Sequence, residues 1–352
     1  MLKYRAGLKN LPTYDVGEAD WKIKLNANEF NMNLPAVVED RVMGRLSRLA
    51  FNRYPGIEVE SLKEQLAAAY NVQMDNILIA NGSSEILEKV FFCLGGRNRK
   101  IVYPQPSFSM YKIYADLSGS ISVPFDLNDD YTLDAEKFVD TVNINKAHLA
   151  VICAPNNPTG TAVPLRDIEY IAQNINCAFI VDEAYVEFAD ESAMQILSKY
   201  PHMIVARTFS KAYGLAAARV GYAIADSKVT TMLGKVFMPY HVNSLSAAVA
   251  DIVYQMRHEY ESRISMIKAE RQRVNDELVK IAGVKVYPSK TNFILIKYDR
   301  AQQLNEYLYN IGIGVRSFGN APRLDNCIRI TIGLREENDA WIKAVRDFIV
   351  NN

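Results

Sequence analysis

Lys211 stands just past an apolar run, inside Thr208-Phe209-Ser210-Lys211-Ala212-Tyr213-Gly214-Leu215-Ala216-Ala217-Ala218-Arg219. An amine that is desolvated, or set beside another cation, gives up its proton more easily and attacks carbonyls. The small residues after it leave room for a bulky ligand, and Arg219 is within reach of an anion near the amine. A second segment, Phe179-Ile180-Val181-Asp182-Glu183-Ala184-Tyr185, ends an apolar run on a carboxylate. Asp is favoured as a helix cap, but a carboxylate so placed also suits a protonated ring nitrogen, the partner that lets a pyridinium act as an electron sink. In Cys153-Ala154-Pro155-Asn156-Asn157-Pro158-Thr159-Gly160 the residues are turn formers, and Asn157 offers its amide to a ring oxygen. In Ala80-Asn81-Gly82-Ser83-Ser84-Glu85 a strand turns through glycine into a helix, whose first N–H groups and dipole make an anion site. The spacing is not that of a P-loop. Each segment alone has an ordinary explanation. All four follow apolar runs, and together they describe one site.

The elements that must position these residues follow from the hydrophobic pattern. An amphipathic stretch, 60–70, leads to an apolar run at 77–80, and a helical stretch begins at Glu85. Further strand-like runs lie at 100–103, 121–125, 148–153, 178–181, 203–207 and 220–225, with helical segments between several of them. Short apolar runs alternating with helices predict a largely parallel sheet covered on both faces. In such sheets ligands sit beyond the carboxyl ends of the strands, where the four segments fall. After about residue 245 the pattern changes: helix over roughly 246–281, strand-like runs at 284–287, 292–297 and 327–331, and helix to the end. Three parts are expected: an arm over 1–28 that packs with the small domain, a large domain over 29–245, and a small α+β domain over 246–352.

Composition narrows the partners. The chain has 352 residues, 49% hydrophobic, with 40 basic and 40 acidic residues. This is enough to bury a large core, and the zero net charge gives no support for broad nucleic-acid or membrane-surface binding. No apolar run is long enough to span a bilayer, and the first ten residues lack the apolar centre of a secretory signal. The cysteines (Cys93, Cys153, Cys177, Cys327) are scattered and read as free thiols in a reducing compartment. His148, His202, His241 and His258 show no metal-ligand spacing. A cytoplasmic protein without a metal site is expected.

The order Gly82-Ser83-Ser84, Asn157-Pro158-Thr159-Gly160, Asp182 with Tyr185, Ser210-Lys211 and Arg219 resembles the fold-type-I, aspartate-aminotransferase superfamily over nearly the whole chain. Within it the chain is similar to the histidinol-phosphate aminotransferases. Asn10-Leu11-Pro12-Thr13-Tyr14, Leu25-Asn26-Ala27-Asn28-Glu29, Arg53-Tyr54-Pro55, Pro106-Ser107-Phe108-Ser109-Met110-Tyr111, Thr291-Asn292-Phe293, and Val315-Arg316 with Ile328-Arg329-Ile330-Thr331-Ile332-Gly333 carry that likeness.

The resemblance implies a three-layer α/β fold: a large domain with a mostly parallel seven-stranded sheet, and a smaller α+β domain. It implies pyridoxal 5′-phosphate held as a Schiff base on Lys211, which also shuttles a proton. Asp182 holds the ring N–H, Asn157 and Tyr185 bond the ring oxygen, and Phe108 stacks on the ring. Ser83, Ser84, Ser210 and Arg219 hold the cofactor phosphate, joined by Tyr54 from a partner subunit in a homodimer with shared sites. Arg329 is the carboxylate-binding arginine, with its planar fork suited to carboxylate or phosphate. Arg316 and Tyr14 add donors there, and Asn157 also faces the substrate. The expected reaction, in histidine biosynthesis, is the reversible conversion of histidinol phosphate and 2-oxoglutarate to imidazole-acetol phosphate and glutamate. One cationic site would take the phosphate in one half-reaction and the glutamate carboxylates in the other.

Three departures stand out. Phe108 replaces the family's usual Tyr, Asn-Ala-Asn-Glu-Phe-Asn replaces Asn-Glu-Asn-Pro, and Ala217-Ala218 replaces Gly-Leu. The rival expectations are an aminotransferase for aromatic or other amino acids, a threonine-phosphate decarboxylase on the same fold, and a non-catalytic regulator.

Overall fold

The computed structural model describes residues 20–319 and 321–351; Tyr14 lies outside them. In chain order the strands are β1 (Ile23–Lys24), β2 (Ile77–Ala80), β3 (Lys100–Gln105), β4 (Ile121–Asp126), β5 (Leu149–Cys153), β6 (Ala178–Asp182), β7 (Met203–Thr208), β8 (Gly221–Ala225), β9 (Lys285–Val286), β10 (Phe293–Lys297), β11 (Ile313–Gly314), β12 (Arg316–Ser317) and β13 (Cys327–Thr331). The helices are α1 (Ala36–Leu46), α2 (Ile57–Tyr70), α3 (Gly82–Leu94), α4 (Met110–Ser118), α5 (Ala135–Ile144), α6 (Leu165–Asn174), α7 (Ser227–Gly234), α8 (Ser244–Gln255), α9 (Glu261–Leu278), α10 (Ala301–Asn310) and α11 (Arg335–Val350).

Seven strands form one sheet in the order β2-β8-β7-β6-β5-β3-β4. β8 runs antiparallel to both neighbours, and the pairs from β7 to β4 are parallel. The expected mostly parallel sheet forms, with one reversed strand. Its central strands bury both faces, which is why they read as continuous apolar runs rather than alternating ones. In β5, Ala150 and Ile152 join one core with α2, α5, α6 and α8, while Leu149, Val151 and Cys153 join another with α3 and α4. These are the three layers, and each sheet face makes its own core.

The smaller lobe is a four-stranded antiparallel sheet, β12-β13-β10-β9. Ile328 and Ile330 face its core together with Ile267 and Val274 of α9 and Trp341 of α11. Arg329, between the two isoleucines, therefore points off the other face. Residues 23–25 pack on this lobe. β1 pairs with β11, Leu25 enters the lobe's core, and the Thr331 N–H donates to the Leu25 carbonyl.

The sequence predicts unbroken helix over 246–281. The structure breaks it: α8 ends at Gln255, a single 3₁₀ turn spans Arg257–Tyr260, and α9 begins at Glu261. Ala247, Ala250, Val253 and Tyr260 pack in the large core, whereas Ile267, Val274 and Leu278 pack in the small one. One straight helix could not present its apolar side to both cores, so the chain turns between them.

Candidate active site

Lys211 lies in the loop that leaves β7. The loop is folded back on itself: the Leu215 N–H donates to the Phe209 carbonyl, and the Phe209 N–H to the Val220 carbonyl. Lys211 Nζ donates to the Ala27 carbonyl at 3.1 Å and stands 5.8 Å from the Tyr185 ring centroid. Burial, then Arg329, pulls its pKa down to about 7, with Glu29 opposing. The amine is thus neutral far below the ordinary lysine range. Its rate of combination with an aromatic aldehyde should rise with pH, inflect near 7 and flatten above about 8. Stopped-flow absorbance on the cofactor-free protein reads this directly, and a rate still climbing steeply between pH 9 and 10 would contradict it.

Asp182 ends β6 and is only 3% exposed. Its Oδ2 accepts from Tyr111 Oη at 2.8 Å, and its Oδ1 accepts from the Ala184 N–H at 3.2 Å. Burial pushes its pKa up to about 6 against those two donors. A buried carboxylate held this way gains most from a cation placed against it. The next residue, Glu183, turns away into a buried pair with Arg207, whose Nε and Nη2 reach its Oε2 at 2.9 and 2.7 Å. That pair ties the ends of β6 and β7, and so holds Asp182 and the Lys211 loop side by side.

At the end of β2 the chain passes through Gly82, at φ +77°, into α3. Asn81 provides no side-chain cap, so the N–H groups of Gly82, Ser83 and Ser84 open the helix unclaimed by one. A Cβ on Gly82 would lie 2.8 Å from Arg219 Nη2, and one on Gly221 would lie 2.3 Å from the Ser83 nitrogen. The glycines let the guanidinium and the helix start approach each other. Arg219, at φ +54°, donates from Nη1 to Ser210 Oγ at 3.2 Å. Helix N–H groups, a serine hydroxyl and a guanidinium converge into an anion cradle that larger residues would fill.

The remaining residues cluster between these points. Arg329 Nη1 donates to Asn157 Oδ1 at 2.6 Å and Nη2 to the Asn26 carbonyl at 2.9 Å. Arg316 of β12 is directly opposite Arg329 in the antiparallel register. Tyr185 is buried, its hydroxyl pushed up mainly by desolvation, and it accepts from Asn28 Nδ2 at 2.9 Å. Phe108 meets Tyr111 edge-on at 5.7 Å. Tyr54 is 81% exposed and stacks on Tyr240 at 4.7 Å, so it stands on the outer surface of its own chain.

Sequence reasoning missed three participants. Tyr111 braces Asp182, Asn28 braces Tyr185, and the Ala27 carbonyl receives Lys211. Tyr111 sits three residues after Phe108, one helical turn on, which is the signal that could have found it. Asn28, at φ +52°, lies in the run 25–29. Its polar residues beside a buried leucine were visible, but not their target.

The arrangement can bind an aldehyde covalently at Lys211, hold an anion at Gly82–Arg219, and keep a ring nitrogen protonated at Asp182. A family model described as "Aminotransferase class I and II" matches residues 20–345. The histidinol-phosphate aminotransferase of Thermoanaerobacter pseudethanolicus is 36% identical over 346 residues, 98% of each chain. That of Clostridium novyi is 37% identical over 343 residues, 97% of this chain and 96% of the other. The crystal structure of histidinol-phosphate aminotransferase from Sinorhizobium meliloti in complex with pyridoxal-5′-phosphate covers 100% of this chain and 98% of its own, with a TM-score of 0.90 at 24% identity, a likeness of fold. With the family model spanning both lobes and every strand-end loop of the site, the chain belongs to the class I and II aminotransferases.

Proposed function

We propose that the protein is a pyridoxal-phosphate-dependent transaminase that converts histidinol phosphate and 2-oxoglutarate reversibly to imidazole-acetol phosphate and glutamate, in histidine biosynthesis. The observation that carries the substrate is the placement of Arg316 opposite Arg329, with Arg329 bonded to Asn157 beside the lysine and ring-carboxylate positions. Like charges directly opposite on paired strands repel, and an anion set between them turns that cost into binding. A phosphate and a carboxylate both answer the arginine fork. The relatives at 36–37% identity bear the name of this reaction.

When bound, the cofactor supplies an aldehyde for the amine and a ring that accepts the electron pair freed at the substrate carbon. Lys211 Nζ, half of it neutral at pH 7, would hold the cofactor's aldehyde carbon and, once the substrate amine had displaced it, would be free to move the proton from that carbon. Asp182 keeps the ring nitrogen protonated, with Tyr111 orienting its carboxylate. Asn157 and Tyr185 direct the ring oxygen, and Asn28, by donating to the Tyr185 hydroxyl, leaves that hydroxyl's own proton for the oxygen. Phe108 covers the ring face, for which a phenyl serves as well as a phenol. Gly82, Ser83 and Ser84 N–H groups, Ser210 and Arg219 hold the phosphate.

A homodimer with shared sites fits the exposed Tyr54, which lies among the exposed apolar side chains of Phe51, Ile57 and Tyr240. A partner chain covering that face would bring Tyr54 to its cradle. The division expected at 245/246 we would move toward Tyr260, because α8 packs with the large core and α9 with the small one, and a cytoplasmic location suits four free cysteines. Among the described residues no helix is long and apolar enough to cross a membrane.

The deciding measurement is glutamate formed per histidinol phosphate consumed, with 2-oxoglutarate as acceptor. Stoichiometric glutamate is expected. Turnover of phenylalanine but not histidinol phosphate would assign an aromatic aminotransferase. Carbon dioxide release from threonine phosphate without amino transfer would assign a decarboxylase.

A further inference from the structure

The strands bearing Arg316 and Arg329 are joined by a loop that is fastened to the large lobe. Arg323 Nη2 donates to the Leu127 carbonyl at 2.8 Å, and Tyr131 Oη donates to the Arg323 carbonyl at 2.7 Å. Leu324 packs with Leu127, Tyr131 and Tyr287 in a small core of its own, which both lobes build. From Tyr131 a run of donors, buried except for the half-buried Ser107 at its far end, leads to the cofactor side. Thr161 Oγ1 donates to the Tyr131 carbonyl at 3.0 Å and meets Thr159 Oγ1 at 2.5 Å. Asn156 Nδ2 donates to Thr159 Oγ1 at 2.8 Å, and Ser107 Oγ donates to Asn156 Oδ1 at 2.7 Å. With Thr161 giving its proton to Tyr131, Thr159 must give its own to Thr161, so every hydroxyl in the run points the same way. Ser107 precedes Phe108, and Asn156 precedes Asn157.

We propose that Tyr131 and Thr161 are positioning residues, which set the substrate-arginine strands at a fixed height over the two loops, after β5 and after β3, that hold Asn157 and Phe108. This rests on the reading of Arg316 and Arg329 as the substrate-anion site. Two observations support it besides the hydrogen bonds. Tyr131, Asn156, Thr159 and Thr161 are all buried, so each lost partner leaves a polar group unpaired in the interior. Tyr131 and Arg323, the two ends of the inter-lobe bond, both adopt left-handed backbone conformations, at φ +64° and +63°. Bulky residues rarely do so, and such geometry persists only where the surroundings over-determine it. Neither residue touches the lysine or the ring carboxylate.

The test compares Tyr131→Phe, Thr161→Val and Thr161→Ser in the holoenzyme with histidinol phosphate. Tyr131→Phe and Thr161→Val should raise KM about tenfold, the scale of one lost hydrogen bond. Their kcat should stay within about twofold, with an unchanged visible spectrum before substrate is added. Thr161→Ser, which keeps the hydroxyl, should restore KM. Hydrogen exchange on the cofactor-free protein gives a second readout: amides of 321–327 should exchange faster in both disrupting variants and at the wild-type rate in Thr161→Ser. Unchanged KM in both disrupting variants, failure of Thr161→Ser to restore it, or kcat falling in step with a shifted spectrum would overturn the proposal. Should Tyr131→Phe not fold, the Thr161 pair decides alone. If the wild type turns over no histidinol phosphate, the substrate reading fails, while the exchange rates still report whether the fastening exists.

Discussion

Lys211→Ala should lower kcat by about 10⁴-fold, the upper end of what one positioned acid–base group supplies and about 5.5 kcal/mol of barrier. The size follows from two tasks falling on one nitrogen. In the proposed reaction Lys211 Nζ would attach the cofactor, and the same atom, its pKa lowered to about 7 by burial and Arg329, would after release carry the proton away from the substrate carbon. Phosphate binding should survive, because Gly82, Ser83, Ser84, Ser210 and Arg219 do not depend on the amine. The variant should therefore take up cofactor but release it on dialysis, whereas the wild type retains it. Added methylamine, a small primary amine, should recover part of the rate in the space the side chain leaves. Lys211→Arg should not recover, since a guanidinium stays protonated at every accessible pH. A Lys211→Ala protein with kcat within tenfold of wild type would remove the amine from the chemistry altogether.

How much of this was legible depends on how far apart in sequence the partners lie. Asp182 ends its strand, while Gly82, Lys211 and Asn157 follow theirs by two, three and four residues, and parallel sheets gather such positions at one edge. Their convergence could be read from order alone, and β2 and β13 appear with the boundaries that the apolar runs suggested. Asn28 could not be placed. Its bond to Tyr185 spans 157 residues and depends on a left-handed turn that no local pattern specifies. Nor could the register that sets Arg316 against Arg329, because β12 has two residues, too few for an alternation to show. The turn between α8 and α9 was hidden for another reason: both flanks favour helix, and only the existence of two separate cores forces the chain to bend. Tyr54 is a fourth kind of case. The resemblance implied its role across a dimer, and its exposure in one chain is compatible with that proposal without testing it.

Asp182→Asn should cost about 10²–10³-fold in kcat, the scale found when one preorganised charge-stabilising group is removed. The amide is the same size and can still accept from Tyr111, so the fold and the Tyr111 contact should persist. What is lost is the negative charge that keeps the ring nitrogen protonated, and with it the ring's capacity to take up electrons. Burial opposes the Asp182 charge and pushes its pKa up to about 6. A cationic ring nitrogen against it reverses that balance and draws the carboxylate back to its ionised form at neutral pH. Two comparisons separate this electrostatic role from a packing role. A cofactor analogue methylated at the ring nitrogen carries a fixed positive charge, so it should recover activity in Asp182→Asn by at least tenfold relative to the natural cofactor. Tyr111→Phe should act in the same direction but more weakly. It removes a donor that lowers the Asp182 pKa and leaves the carboxylate in place, so a loss of about tenfold is expected, one charge-assisted hydrogen bond in size. If Tyr111→Phe proved as damaging as Asp182→Asn, or if the methylated analogue gave no recovery, the carboxylate would be acting through structure rather than through its charge on the ring.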